Sequence, residues 1–215
     1  MDALGKYLDS HATPEDELMR ELDRETNLRA VHPQMLSGHV QGRFLEMIVR
    51  MMRPRTVLEI GTFTGYSALS MAAGLEDDAV LHTIEVDDEL SAISEPFFAR
   101  SPHGGKIRRH TGSALDVAPA LGMDFDFVFV DGDKREYPEY YRMLMGDSGS
   151  RPLLHAGSVI VADNVLWYGK VVGAETHHDP HTRALVEFND MVTADPRVEN
   201  VILPLRDGLN IVRVK

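Results

Sequence analysis

Hydrophobic and polar positions change period along the chain at about residue 55. Before it the spacing is helical. Thr13 followed by Pro14-Glu15-Asp16-Glu17 reads as a helix start, with Thr13 as N-cap, Pro14 in the first helical position and acids suited to the helix dipole. That helix is expected to reach about Arg29. Phe44, Leu45, Ile48, Val49 and Met52 recur at helical spacing and predict a second helix over 40–52, stopped by Arg53-Pro54-Arg55. Beyond it, short apolar runs predict strands at 56–60, 80–84, 107–110, 125–130, 158–162, 198–203 and 209–214. Helices are expected between them at 66–73, 88–100, 136–145 and 183–192. The run from Phe125 to Val130 reads as a central strand covered on both faces. Asp207-Gly208 sits between the last two strands and predicts a hairpin. Alternating strands and helices define an α/β fold with a mostly parallel sheet, to which the terminal hairpin adds an antiparallel element.

Composition narrows the class. The 215 residues suit one domain, and 43% hydrophobic with 26% charged residues is globular composition. Lys plus Arg number 22 against 34 Asp plus Glu, a net charge of −12, which argues against nucleic acid as a partner. The absence of cysteine excludes disulfide scaffolds, zinc ribbons and thiol nucleophiles, and favours a cytoplasmic location. No apolar run approaches the ~18–20 residues of a membrane span, and the acidic residues within 1–20 do not read as a signal peptide.

Ligands of open α/β sheets bind beyond the carboxyl ends of the strands. The first strand ends in Glu59-Ile60-Gly61, followed by Thr62-Phe63-Thr64-Gly65-Tyr66-Ser67. Two glycines permit close backbone approach. The pattern is not G-x-G-x-x-G, and an acid before the first glycine would repel a pyrophosphate. It suits a cationic amino group, while the helix N-terminus behind it suits a carboxylate. An amino acid moiety meets both conditions; a plain strand-to-helix turn is the alternative. The second strand ends at Glu85, 26 residues after Glu59, where an acid in a nucleotide-binding unit accepts the ribose hydroxyls. Asp87 then reads as the N-cap of the next helix. Gly112-Ser113-Ala114-Leu115-Asp116 either meets the base of a nucleoside or forms a simple loop and cap. An amino acid at one end and a nucleoside at the other describe S-adenosyl-L-methionine. The fourth and fifth strands end at Asp131 and at Asp163-Asn164. Side by side, these are three hard oxygen ligands for Mg²⁺ or Ca²⁺; helix caps or a proton-sharing carboxylate pair are the other readings.

Together, Leu58-Glu59-Ile60-Gly61-Thr62-Phe63-Thr64-Gly65-Tyr66-Ser67, Phe129-Val130-Asp131-Gly132-Asp133-Lys134, Ala162-Asp163-Asn164-Val165-Leu166-Trp167, Phe188-Asn189 and Asp207-Gly208-Leu209 resemble the cation-dependent O-methyltransferases. That family includes catechol and caffeoyl-coenzyme A O-methyltransferases and small bacterial relatives. The resemblance covers about residues 33–215. It implies a Rossmann-like seven-stranded methyltransferase sheet with helices on both faces. Residues 1–53 would be a helical lid and dimer region, and 54–215 the core, of one domain. It implies that Glu59, Gly61 and Ser67 hold the methionine portion of S-adenosyl-L-methionine, Glu85 the ribose, Ser113 and Ala114 the adenine, and Met35 and Ser37 a lid over the cofactor. Asp131 is assigned to both the cofactor and the metal, and with Asp163 and Asn164 would bind Mg²⁺, Ca²⁺ or Mn²⁺. Lys134 would be the general base. Gly132 stands where many members have alanine, a change expected to be harmless, and His39-Val40-Gln41 departs from the stretch common there.

The implied activity is O-methylation of a small catechol-like aromatic acceptor by a cytoplasmic homodimer. A vicinal diol chelating the cation would present one oxygen to the sulfonium methyl. A cation beside Lys134 would favour the neutral amine that takes the phenolic proton; a solvated lysine paired with Asp131 or Asp133 is the structural alternative. A tRNA hydroxyuridine O-methyltransferase of the same fold is the alternative activity, opposed by the charge. Trp167, the single tryptophan, either stacks on the acceptor ring or packs in the core or an interface. His177, His178 and His181 read as a surface loop near the acceptor rather than a zinc site, and Lys106, Arg108 and Arg109 as a solvated edge. Met47, Met51 and Met52 read as helical core first and as dimer contacts second.

Overall fold

The computed structural model describes residues 3–149, 151–176 and 179–215. Three helices precede the sheet: α1 (Ala3–Ser10), α2 (Glu17–Arg29) and α3 (His39–Met52). Then follow β1 (Thr56–Ile60), α4 (Tyr66–Gly74), β2 (Val80–Glu85), α5 (Ser91–Arg100), β3 (Ile107–Thr111), α6 (Ala114–Ala120) and β4 (Phe125–Val130). The chain continues through α7 (Tyr137–Met145), β5 (Leu154–Ala162), α8 (Pro180–Ala194), β6 (Val198–Leu203) and β7 (Leu209–Val214). The seven strands are ordered β3-β2-β1-β4-β5-β7-β6. β1 to β5 run parallel, and β7 is antiparallel to both β5 and β6. The strand order reverses between β1 and β4, so the crevice of a doubly wound sheet opens where those two strands end.

Both faces are covered. One core layer joins Leu58, Ile60, Val128, Val130 and Ile160 to residues of α6, α7 and α8. The other joins Val57, Leu81, Phe127, Phe129 and Val161 to residues of α2, α3, α4 and α5. Successive residues of a central strand thus enter opposite layers, which explains the apolar run at 127–130. Asp126 breaks that run because its carboxylate clips β4 to the start of β1, accepting from the backbone N–H of Arg55 (2.7 Å) and Thr56 (2.9 Å).

The structure departs from the sequence reading at several boundaries. The N-cap of α2 is Asp16, whose side chain accepts from the Met19 N–H at 2.9 Å, not Thr13. The 13–14 segment stays extended because its carbonyls serve α3: that of Thr13 accepts from His39, and that of Pro14 from Arg43. β5 begins at Leu154, four residues early, across a register irregularity and a left-handed Gly157 that hide the strand from its hydropathy. α1 and α6 were not foreseen; no residue of α1 is buried. Met47 and Met51 are 54% and 73% exposed, so the helical-core reading fails for them. Arg108 and Arg109 lie on the edge strand β3 with Lys106 just before it, but the Lys106 and Arg109 side chains are largely covered and engaged by neighbouring acids, so of the three only Arg108 fits the solvated-edge reading. Among the described residues no helix is long and apolar enough to cross a membrane.

His82 on β2 and His110 on β3 face each other, Nδ1 to Nε2, at 2.9 Å, with their rings stacked. Burial holds both imidazoles below their ordinary range, and His110 and Arg108 depress His82 further. A group whose folded pKa is depressed adds stability above the unfolded value of ~6.5 and loses it as pH falls through that region. The pair's own contribution to the urea midpoint should therefore fall between pH 7.5 and 5.5, so His110→Phe should lose less, or gain more, than wild type across that range. A variant with the wild-type pH dependence would clear the pair of responsibility.

Candidate active site

Gly61 leaves β1 with φ +98°, donating its N–H to the carbonyl of Ile84 at 3.0 Å. A Cβ there would lie 2.5 Å from the Asp131 carbonyl oxygen, so only glycine lets the ends of β1 and β4 come together. Gly65, at φ +92°, starts α4 with its α-carbon against the Phe98 ring. Ser67, nearly buried, sits in the first turn of α4.

Glu59 is fully buried in β1, between Thr83 of β2 and Phe129 of β4. Its Oε2 accepts from the Thr83 hydroxyl, which also pairs with that of Thr62. Its Oε1 is buried with no hydrogen-bond partner. Burial pushes the carboxyl up to about 8, against the nearby hydroxyls of Ser67 and Thr83 and with help from Asp131 and Glu85. Glu85 closes β2 with both oxygens anchored: Oε2 accepts from the Phe63 N–H at 2.8 Å and Oε1 from the Asp87 N–H at 3.0 Å. Asp87 caps the next helical turn, as its position suggested. Ser113 stands at the N-cap of α6, yet its hydroxyl makes no capping bond, and Ala114 is buried beside it. Glu59, Glu85 and Ser113 thus line successive strand ends, with one buried acceptor and one hydroxyl unengaged.

Val130 and Ala162 pair in register, so Asp131 and Asp163 emerge side by side. The Asp163 N–H donates to the Val130 carbonyl at 2.9 Å. The buried Tyr137 hydroxyl lies within donating distance of both the Val130 and the Asp163 carbonyls, at 3.0 and 2.9 Å, and ties the two strand ends together. Asp163 Oδ2 accepts from Gln41 of α3 at 2.6 Å and Oδ1 from the Asn164 N–H at 2.7 Å. Asn164 adopts φ +58°, a left-handed conformation that asparagine tolerates. Lys134, nearly buried, donates to Asp131 Oδ1 at 2.6 Å and to the Gly132 carbonyl at 3.2 Å, so it is a buried partner of Asp131 rather than a solvated lysine. Gly132 has little room for the alanine of other members: a Cβ would lie 2.9 Å from the Tyr140 hydroxyl.

Burial, and then the adjacent Asp131, hold the Asp163 carboxyl above its usual range, while Gln41 and Lys134 oppose the shift. Two crowded carboxylates with a single cation, Lys134, on one of them are only partly compensated. Among the described residues no three His, Cys, Asp or Glu converge. The set here is instead two carboxylates and an asparagine amide, an all-oxygen donor group that fits a hard divalent cation.

The expected lid residues approach from the N-terminal side. Met35 ends a short turn and is half exposed, and Ser37 is buried. The carbonyls of Leu36 and Ser37 accept from Arg206, in the connection between β6 and β7. Across the site, Trp167 stacks on His181 at 5.3 Å between ring centres and packs partly against the core. His181 lies beside Asp179, the N-cap of α8; His177 and His178 lie outside the described residues. Gln41, Tyr137 and Arg206 were not among the expected site residues. Gln41 and Asp163 are 122 positions apart, and no local spacing announces such a pair.

Acids ending β1 and β2 and a carboxylate–carboxylate–amide set ending β4 and β5, on a seven-stranded sheet closed by an antiparallel hairpin, define a class I methyltransferase. The sequence pattern of the O-methyltransferase family matches residues 9–215, and the chain belongs to that family of S-adenosyl-L-methionine-dependent enzymes. It is 34% identical to a caffeoyl-CoA O-methyltransferase of Petroselinum crispum over 227 residues, covering 99% of this chain and 90% of that one. Its structure is similar to that of the O-methyltransferase TomG of Streptomyces achromogenes in complex with SAM, with a TM-score of 0.90 and 28% identity over 100% of this chain and 96% of that one. An O-methyltransferase of Bacillus cereus in complex with SAH gives a TM-score of 0.87 at 28% identity, covering 99% and 97%.

Tyr137→Phe should lower the free energy of unfolding by about 1–3 kcal/mol, the cost of leaving buried carbonyls short of a donor. A urea titration at pH 7.5 checks it, and an unchanged midpoint would show that the hydroxyl does not tie β4 to β5.

Proposed function

We propose that the chain transfers the methyl group of S-adenosyl-L-methionine to one hydroxyl of a small catechol-like aromatic acceptor, with a divalent cation held by Asp131, Asp163 and Asn164. The observation that carries this reading is the side-by-side exit of Asp131 and Asp163, with Asn164 next in chain and Lys134 on Asp131 at 2.6 Å. Relatives called caffeoyl-CoA O-methyltransferases support an aromatic acceptor. The net charge of −12 opposes a tRNA substrate.

The unpartnered Oε1 of Glu59 receives the cationic amino group of the donor. Gly61 lets the methionine backbone approach, Ser67 offers a hydroxyl at the start of α4, Glu85 accepts from the ribose, and Ser113 and Ala114 meet the adenine. Met35 and Ser37 cover the donor. A divalent cation held at the strand ends would lower the pKa of the acceptor hydroxyl and orient the vicinal oxygens. With the cation holding Asp131 in its place, Lys134 would give up one proton to solvent and, as the neutral amine, take the phenolic proton at Nζ. The phenolic oxygen then bonds to the methyl carbon as the carbon–sulfur bond breaks, and the sulfur keeps that electron pair. Trp167, already stacked on the His181 ring, provides an aromatic wall for the acceptor. Exposed Leu4, Leu8, Met47 and Met51 on α1 and α3 support a homodimer formed through the N-terminal helices.

Two experiments test this reading. Chelation should abolish transfer to a simple catechol and added Mg²⁺ should restore it, while Lys134→Ala should lower kcat by about 10²–10⁴-fold with little change in the donor KM. Full turnover in the presence of chelator, or in the lysine variant, would remove the corresponding part of the mechanism. The second concerns pH. Glu59 carries a proton at neutral pH in the free protein and must release it to meet an ammonium group. Donor affinity should therefore strengthen as pH rises from 6 to 8, approaching about tenfold per unit, and level off above. Calorimetry in buffers of different ionisation enthalpy should detect the released proton, and Glu59→Gln should bind more weakly with a flat profile.

A further inference from the structure

The turn between β6 and β7 holds a feature that the reaction scheme does not use. Arg206 occupies the left-handed region at φ +51°, a conformation in which glycine is at ease and a long side chain is strained. Its Nη1 donates to the backbone carbonyls of Leu36, at 2.9 Å, and Ser37, in the segment leading into α3. That segment enters the site four residues later, where Gln41 donates to Asp163. Between Ser37 and Gln41, Gly38 joins the segment to α3 at φ +75°, with open space around its α-carbon. The turn itself is fixed. Leu166 and Val165 donate their N–H groups to the carbonyls of Asp207 and Gly208 at 2.9 and 3.2 Å, and the Tyr168 N–H donates to the Asp207 carboxylate at 2.6 Å. Gly208 packs against Leu166 so closely that a Cβ would lie 2.4 Å from its side chain.

We propose that Arg206 is a positioning residue for the methyl donor. From a turn anchored to the acceptor wall, its guanidinium latches the 36–37 backbone, so that the segment carrying Ser37 is held in the donor-binding arrangement before the donor arrives. Pre-ordering of this kind lowers the entropy lost on binding and appears as donor affinity, not as chemistry. The inference rests on the proposed function for the identity of the donor, but the latch itself is a physical contact that can be measured without turnover.

Arg206→Gly is the informative variant, because glycine suits the backbone at this position and removes only the guanidinium. The expected result is a modest fall in the thermal midpoint, because relief of the left-handed backbone offsets part of the loss of two hydrogen bonds, with faster amide exchange within 34–38 and a KM for S-adenosyl-L-methionine raised about tenfold. kcat with a saturating catechol should stay within about twofold. Arg206→Lys, which retains a cationic donor, should recover part of the affinity. Wild-type exchange and donor KM in Arg206→Gly would overturn the latch, as would a loss confined to kcat. If the wild-type protein proves unable to methylate catechols, the proposed function fails by itself. Amide exchange and calorimetric binding of S-adenosyl-L-methionine then still decide the role of Arg206.

Discussion

The constraint on which the site depends is the crowding of two carboxylates at the ends of adjacent parallel strands. Register forces it: with Val130 opposite Ala162, the next residue of each strand enters the same small volume. Charged groups withdrawn from water need compensation, and the fold supplies it piecemeal. Lys134 neutralises Asp131, while Gln41 and the Asn164 N–H divide the oxygens of Asp163. The compensation is incomplete, since Asp163 still holds its proton more tightly than a solvated aspartate. That residual demand gives α3 a reason to be where it is, because it delivers the amide that donates to Asp163.

The donor side obeys the same logic with one difference. Glu59 is buried more completely than Asp163, and one of its oxygens lacks a hydrogen-bond partner. A carboxyl in this state can remain neutral until a ligand brings the positive charge. Its burial depends on Gly61, since any side chain there would push the β1 and β4 ends apart. The acid and the glycine two positions on are therefore one device: the glycine closes the gap that keeps the acid dry.

Much of this was readable in the residues. β1, β4, β6 and β7 match their apolar runs residue for residue: β1 and β4 because strands buried on both faces leave a dense hydrophobic signal over few positions, β6 and β7 because the Asp207-Gly208 connection marks where they meet. The acids at the strand ends were readable for a related reason: parallel strands end at one level, so polar residues just past an apolar run lie at one edge of the sheet. What stayed hidden was whatever depended on distant partners. Thr13 looked like a helix cap until His39 claimed its carbonyl. Met47 and Met51 share helical spacing with core residues of α3 but face solvent. The contacts of Gln41 with Asp163 and of Arg206 with Ser37 join residues more than a hundred positions apart, and neither residue type nor local spacing marks them.

These long-range contacts share a direction. Gln41, Leu36 and Ser37 all belong to the segment entering α3 or to its first turn, and each is held from the sheet side by a group near β5 or the β6–β7 turn. The 36–41 stretch is thus gripped at its carbonyls by a cation and at its side-chain amide by a buried acid. The acid in that grip is itself one of the candidate metal ligands. A change in the charge on Asp163 must alter its bond to Gln41 in the first turn of α3. The candidate metal ligand Asp163 and the 36–41 stretch are in this way joined through specific polar contacts, which mere proximity within one crevice would not provide.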